Sequence, residues 1–157
     1  MTEFIKDNSG RSACENVVFL HGFLSSSSFW TETVFPNLSE PVKHNHRLLA
    51  VDLLGFGESP KPRNCFYTLK DHLETIEKSV LCSFQLDSFH LVAHSMGCVI
   101  ALALAAKFPN SVKSITLVAP VSSKTRSHEI LSIRINMNIF ISVVLNFSLS
   151  SLQKKGV

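Results

Sequence analysis

A serine between an apolar run and an apolar helical pattern is the residue of this sequence best suited to chemistry. Residues 89–98 read Phe-His-Leu-Val-Ala-His-Ser-Met-Gly-Cys, and Ser95 stands where the run gives way to the helical pattern. A small-x-Ser-x-Gly sequence at a strand-to-helix turn forms a nucleophile elbow, in which the serine is strained and its hydroxyl exposed. Ala93 and Gly97 are small enough to let the strand and the helix approach each other closely. The pattern therefore predicts that Ser95 is a nucleophile.

A histidine–glycine pair earlier in the chain predicts a second part of the same site. His21 and Gly22 end the first apolar run, and Phe23 follows them. We expect the backbone N–H groups of Phe23 and Met96 to face the space above Ser95. Two fixed donors of this kind stabilise the oxyanion of a tetrahedral intermediate. The alternative is that His21 and Gly22 only end a strand.

The sequence offers no clear acid and base to accompany the serine. A serine nucleophile of this type needs an acid and then a histidine further along the chain. After Ser95 there is one histidine, His128, and one acid, Glu129, which are adjacent and in the reverse order. Asp52 precedes the serine and lies in a glycine-rich turn, which favours a structural role. His94 is too close in sequence to reach the Ser95 hydroxyl easily and is predicted to line the pocket wall, so we identify no triad acid or base.

Composition and charge exclude several other classes of function. The chain has 157 residues, of which 45% are hydrophobic and 17% charged, as expected of one globular domain. Its net charge of +3 divides into −1 for residues 1–123 (ten basic, eleven acidic) and +4 for residues 124–157 (five basic, one acidic). The basic excess thus lies in a tail, and no nucleic-acid partner is expected.

Neither a metal, a cofactor nor a membrane span is predicted. The four cysteines form no C-x-x-C pair, and His44 and His46 have no third ligand nearby. Residues 1–15 are polar and lack the apolar core of a signal peptide. The most apolar long stretch, residues 130–149, is interrupted by Arg134 and three asparagines, so we reject a transmembrane helix. The sequence leaves the cellular compartment open.

The elements that must position these residues alternate between strand and helix patterns. That alternation indicates an α/β fold with a mostly parallel sheet and helices on both faces. The carboxyl ends of parallel strands share one edge, so we expect His21, Asp52 and Ser95 to lie along it. Thr68 and Asp71 predict a capping box at the start of one helix. The expected strands are residues 16–21, 47–52, 89–93 and 112–119, and the longer expected helices are residues 68–84 and 96–108.

Three blocks of sequence resemble the α/β-hydrolase fold proteins, and in particular the plant BODYGUARD group of probable lysophospholipases. The blocks are residues 17–23 with 28–36, residues 49–62 and residues 91–98. The resemblance implies a partial α/β-hydrolase fold with Ser95 as the nucleophile and Phe23 and Met96 as oxyanion donors. It also implies an acyl-ester or lipid substrate, a link to cuticle lipid metabolism and a location in the cell wall or outside the cell.

We therefore divide the chain into a leader of residues 1–15, a partial hydrolase domain of residues 16–123 and a divergent basic tail of residues 124–157. The tail departs from the family pattern, so we expect a truncated protein whose tail makes little contact with the sheet. Two hypotheses of function remain. One is a serine esterase of lysophospholipase type. The other is a catalytically incompetent fragment or a hydrolase-like binding module, which we expect to show little or no turnover.

Overall fold

The described strands of the protein form one sheet. The computed structural model describes residues 5–7, 15–121 and 140–144, and its strands are β1 (Ile5–Asp7), β2 (Glu15–Leu20), β3 (His46–Val51), β4 (Phe89–His94), β5 (Val112–Val118) and β6 (Phe140–Val144). Within these residues the strand order is β1-β3-β2-β4-β5-β6. The four strands β3, β2, β4 and β5 are parallel, as the sequence predicts.

Strand β2 lies inside the parallel part of the sheet, between β3 and β4. Phe19 of β2 lies opposite Ala50 of β3 on one side and Val92 of β4 on the other. Strands β2 and β3 each end one residue before the predicted position. The next residues are His21 and Asp52. Their side chains accept hydrogen bonds from backbone N–H groups of neighbouring loops.

Two strands join the sheet in addition to the four that the sequence predicted. Ile5–Asp7, within the predicted leader, pairs antiparallel with β3. Phe140–Val144, within the predicted tail, pairs in parallel with β5 from Ser114 to Val118. The expectation that the tail makes little contact with the sheet is therefore wrong for Phe140–Val144, whose Phe, Ile and Val residues favour strand formation. Leader residues 1–4 and 8–14 and the other residues of the tail, including His128 and Glu129, lie outside the described residues.

The helices cover both faces of the sheet. Thr68 and Asp71 form the predicted capping box, with the Thr68 N–H donating to Asp71 Oδ2 at 2.8 Å and the Asp71 N–H donating to Thr68 Oγ1 at 3.2 Å. No helix within the described residues is long and apolar enough to cross a membrane. The helices are α1 (Ser28–Thr33), a 3-10 turn (Phe35–Asn37), α2 (Glu40–Asn45), α3 (Leu69–Ile76), a π-helical segment (Glu77–Cys82) and α4 (Met96–Lys107).

Alternation along β2 divides the core between the two faces of the sheet. Val18 and Leu20 belong to the larger cluster, which contains Ile100 and Leu104 of α4. Residues on the opposite face of β2, including Phe19, pack in a second cluster around Trp30 of α1. Successive side chains of a strand point to opposite faces, so a strand covered by helices on both sides must be apolar throughout. This burial fixes β2 and β4, and with them the loops that follow each strand.

Candidate functional site

Ser95 stands at the junction of β4 and α4 in a strained backbone conformation. Its φ is 50° and its ψ is −115°, in a region that L-residues rarely occupy. The Ser95 N–H donates to the Val118 carbonyl at 3.1 Å, and the Ser95 carbonyl accepts from the Cys98 N–H at 3.0 Å. These bonds to β5 and α4 hold the residue in place, and it is half-buried. The predicted strand, serine and helix are therefore present with the predicted positive φ.

Close approach of α4 to β2 requires the small residue after the serine. A Cβ atom added to Gly97 would lie 2.6 Å from the Leu20 carbonyl oxygen and 2.7 Å from that of His21. Both neighbours are backbone atoms of the central strand and its exit, so neither can move aside cheaply. Ala93, on the other side of the serine, is fully buried. Packing thus explains the glycine at position 97, and burial makes the space at position 93 apolar.

The loop after β2 lies directly against the serine. A Cβ atom added to Gly22 would lie 3.1 Å from Ser95 Cβ and 2.8 Å from His94 Nδ1. Neither the Phe23 N–H nor the Met96 N–H donates to another described residue. Both groups are therefore available to a ligand, and their convergence above the Ser95 hydroxyl stays a prediction.

His21 is a structural residue whose two ring nitrogens are both occupied. It is fully buried, and its Nε2 atom accepts a hydrogen bond from the Leu53 backbone N–H at 3.0 Å. Because an N–H group can only donate, the ring proton must be on Nδ1, which donates to the Gly22 carbonyl at 2.7 Å. Burial lowers the pKa of His21, which keeps the ring neutral. The ring ties the loop after β2 to the loop after β3 and has no free nitrogen to act as a base.

His94 packs beside the serine without bonding to it. Its ring stacks on Phe29 with centroids 5.0 Å apart and planes 24° apart. Its Nδ1 atom is buried next to Gly22 and has no hydrogen-bond partner among the described residues. Within residues 15–121, no histidine forms a hydrogen bond with the Ser95 hydroxyl. The described part of the chain therefore supplies a candidate nucleophile without a base in contact.

Asp52 joins two loops through hydrogen bonds. This agrees with the structural role that the sequence favours for it. Its carboxylate accepts the Ser27 N–H at 2.5 Å and the Glu58 N–H at 2.9 Å. Gly57 has a φ of 49°, and a Cβ there would lie 2.2 Å from Asp52 Cγ. Sequence reasoning missed Ser27 and Leu53, because both act through backbone N–H groups that no side-chain pattern reveals.

The cysteine nearest to the serine in sequence, Cys98, is buried and hydrogen-bonded. The Cys98 thiol is buried and donates to the Ala93 carbonyl at 3.2 Å, and burial raises its pKa to about 11. A thiol of this kind is a poor nucleophile. The part of the chain that the structure describes holds no group of three or more His, Cys, Asp or Glu side chains placed to bind a metal.

The sequence is similar to that of known proteins. Residues 15–140 match the alpha/beta hydrolase fold family. The chain is 62% identical to Probable lysophospholipase BODYGUARD 1 of Arabidopsis thaliana over 116 residues, which cover 74% of this chain and 25% of that protein. It is 64% identical over 121 residues to Probable lysophospholipase BODYGUARD 4 of the same plant, covering 74% of this chain and 28% of that protein.

A solved structure shares the same arrangement of elements. The haloalkane dehalogenase DatA from Agrobacterium tumefaciens C58 superposes with a TM-score of 0.62 and 29% sequence identity, covering 74% of this chain and 36% of the dehalogenase. The alignments with the two Arabidopsis relatives span about a quarter of each relative's length.

Proposed function

Because the chain belongs to the α/β-hydrolase fold family, we propose that Ser95 is the nucleophile of a serine hydrolase site that acts on carboxylic esters. The observation that carries the proposal is the backbone of Ser95, with φ 50° and ψ −115° against Gly22. A strained serine costs stability, and strain of this kind concentrates at functional sites. Phe23 and Met96 supply the two N–H groups of the oxyanion hole in this proposal.

The proposed reaction is acyl transfer in two steps. The Ser95 oxygen attacks the ester carbonyl and loses its proton to a base, a group that the described residues do not place in contact with the hydroxyl. The carbonyl oxygen becomes an oxyanion bound by the Phe23 and Met96 N–H groups. Collapse expels the alcohol, which receives the proton, and leaves an acyl-enzyme. Water then attacks the acyl-enzyme and releases the carboxylic acid. His21 orients the loop that carries Phe23 and moves no proton.

The substrate class rests on the relatives and on apolar side chains beside the serine. The names of the two Arabidopsis proteins begin with "Probable lysophospholipase", so we assign an acyl ester of lipid type as the substrate. Phe23 and Leu24 expose 64% and 82% of their surfaces next to Gly22, which suits a long acyl chain. A role in cuticle lipid metabolism and a location outside the cell, both implied by the family resemblance, are part of this proposal.

A second candidate function is an ester-binding module without turnover. It is favoured by the state of the histidines, because His21 is occupied at both nitrogens and His94 has no bond to the serine hydroxyl. Losing the base of a serine triad lowers turnover by on the order of a millionfold in a well-studied protease. The chain studied by itself is therefore expected to turn over esters very slowly.

A fluorophosphonate probe separates these candidates. We expect slow labelling at Ser95 that disappears in Ser95→Ala and is unchanged in Ser83→Ala, a control at an exposed serine. Slow labelling with no measurable hydrolysis of a p-nitrophenyl ester would favour the binding module. Labelling that persists in Ser95→Ala would contradict the assignment of the nucleophile.

A further inference from the structure

The segment that leads into α3 presents a phenylalanine to solvent. Phe66 exposes 93% of its surface, the largest exposed fraction of any large apolar residue in the described part of the chain. Every residue from 60 to 70 is exposed except Cys65. Exposed apolar side chains cost solubility, and a cluster of them marks an interaction surface. We refer to residues 60–70 as the docking segment.

The docking segment is held in shape by its own tyrosine. Tyr67 has a φ of 53°, and its hydroxyl donates to the Pro62 carbonyl at 2.9 Å. Its ring packs on Gly55 so closely that a Cβ there would lie 2.8 Å from Tyr67 Cε1. The capping box at Thr68 fixes the following turn. Phe66 is therefore exposed on a loop that hydrogen bonds and packing hold in place.

Basic residues lie near this phenylalanine in the sequence, within a segment that acidic residues flank on both sides. The docking segment contains Lys61, Arg63 and Lys70 and no acidic residue. Arg63 is exposed and forms no ion pair with another described residue. Lys70 is 3.7 Å from Glu74 but keeps most of its side chain in solvent. Apolar insertion combined with basic residues is the chemistry that binds peripheral proteins to anionic lipid surfaces.

A chain of contacts leads from the docking segment to the loop beside the serine. Gly55, which contacts Tyr67, is followed by Phe56, whose ring lies 5.7 Å from that of Phe23. Phe23 and Leu24 are themselves exposed and adjoin Gly22, the residue that touches Ser95. These contacts connect the docking segment to the loop of the candidate site.

We propose that the docking segment, together with Phe23 and Leu24, binds the surface of an anionic phospholipid bilayer. Phe66 enters the interface between headgroups and acyl chains, and Arg63 faces the lipid phosphates. The exposed Arg63 favours this occupant over an uncharged apolar partner, because such a partner would leave the guanidinium group without an anion. Binding of this kind goes beyond the proposed hydrolase function and requires no turnover.

Co-sedimentation with vesicles tests the proposal on the full chain. We expect binding to vesicles of phosphatidylcholine mixed with phosphatidylserine, and much weaker binding to phosphatidylcholine alone. Phe66→Ser should lower the partition coefficient about tenfold, since a phenyl group no longer leaves water. Arg63→Gln should lower it about fivefold on the anionic vesicles only.

Matched variants control for general effects on charge and apolarity. Lys78→Gln and Val99→Ser remove an exposed charge and an exposed apolar side chain elsewhere, and both should bind like the natural chain. Phe66→Leu keeps an apolar group and should retain most of the binding, which separates insertion from misfolding. Ser95→Ala should bind vesicles as well as the natural chain does. The vesicle result therefore does not depend on whether Ser95 is a nucleophile.

Two outcomes would overturn the proposal. One is an absence of binding to anionic vesicles, or binding that neither Phe66→Ser nor Arg63→Gln weakens. The other is a concentration-dependent dimer in sedimentation velocity that Phe66→Ser abolishes, with no vesicle binding at all. That result would assign the docking segment to a second copy of the chain.

Discussion

The Nε2 atom of His21 accepts a hydrogen bond from the Leu53 backbone N–H at 3.0 Å. The bond joins the loop after β2 to the loop after β3, and it exists only while Nε2 carries no proton. The loop after β2 continues into Gly22, which touches Ser95. The protonation state of His21 is therefore linked to the geometry around the serine.

Acid should destabilise the protein through its buried histidines. Burial lowers the pKa of both His21 and His72 in the folded chain. The unfolded chain, in which histidine has a pKa of about 6.5, then binds protons that the folded chain does not. Stability should be complete above about pH 6.5 and fall as the pH drops toward the lowered folded pKa. The urea concentration at the midpoint of unfolding should be lower at about pH 5.5 than at about pH 7.5.

Two variants test whether His21 causes the pH dependence of stability. His21→Gln should lose about 1–3 kcal/mol at neutral pH, because buried hydrogen bonds are broken, and should weaken the pH dependence. His44→Gln, on an exposed site of α2, should leave it unchanged. An equally steep pH dependence in His21→Gln would show that His21 is not its source.

The strain at Ser95 should be measurable as a difference between two substitutions. Ser95→Gly and Ser95→Ala both remove the hydroxyl, but only glycine accepts a φ of 50° without steric cost. We expect Ser95→Gly to be more stable than Ser95→Ala by about 1 kcal/mol in thermal unfolding. At Ser83, where φ is −67°, the order should reverse. The same order at both positions would mean that Ser95 stores no strain.

Gly97→Ala should disrupt the contact between α4 and β2. The new methyl group would overlap the carbonyl oxygens of Leu20 and His21, and backbone atoms of a central strand do not yield easily. We expect a loss of about 2–3 kcal/mol in the free energy of unfolding. Val99→Ala, on the exposed side of the same helix, should change stability by less than about 1 kcal/mol. Equal effects at the two positions would contradict the close approach.

The thiol of Cys98 should be protected from alkylation in the folded protein. Its pKa of about 11 leaves little thiolate at about pH 8, and its side chain is buried. Iodoacetamide should modify Cys82, which is exposed, and leave Cys98 unmodified until denaturant is added. Peptide mass spectrometry distinguishes the two sites. Rapid modification of Cys98 in the native state would show that the region behind the serine opens readily.

The sequence predicted the elbow because its packing demand appears directly in residue size. Gly97 is small for the reason that the structure shows, and apolar runs identified the four central strands. The sequence did not predict the pairing of Ile5–Asp7 or Phe140–Val144, because those short strands depend on partners far along the chain. The bond from Leu53 to His21 was also missed, since a backbone donor has no signature in the side-chain sequence.

The position of β2 between β3 and β4 has a consequence for synthesis on the ribosome. β2 is made before either neighbour, and β4 emerges only after α3 has been completed. Until then Val18 and Phe19 lack a partner on one side, in a strand that is apolar on both faces. Unpaired strands of this kind associate with other chains. Nascent chains that have not yet reached Ala93 should therefore be the species of this protein that depends most on chaperones.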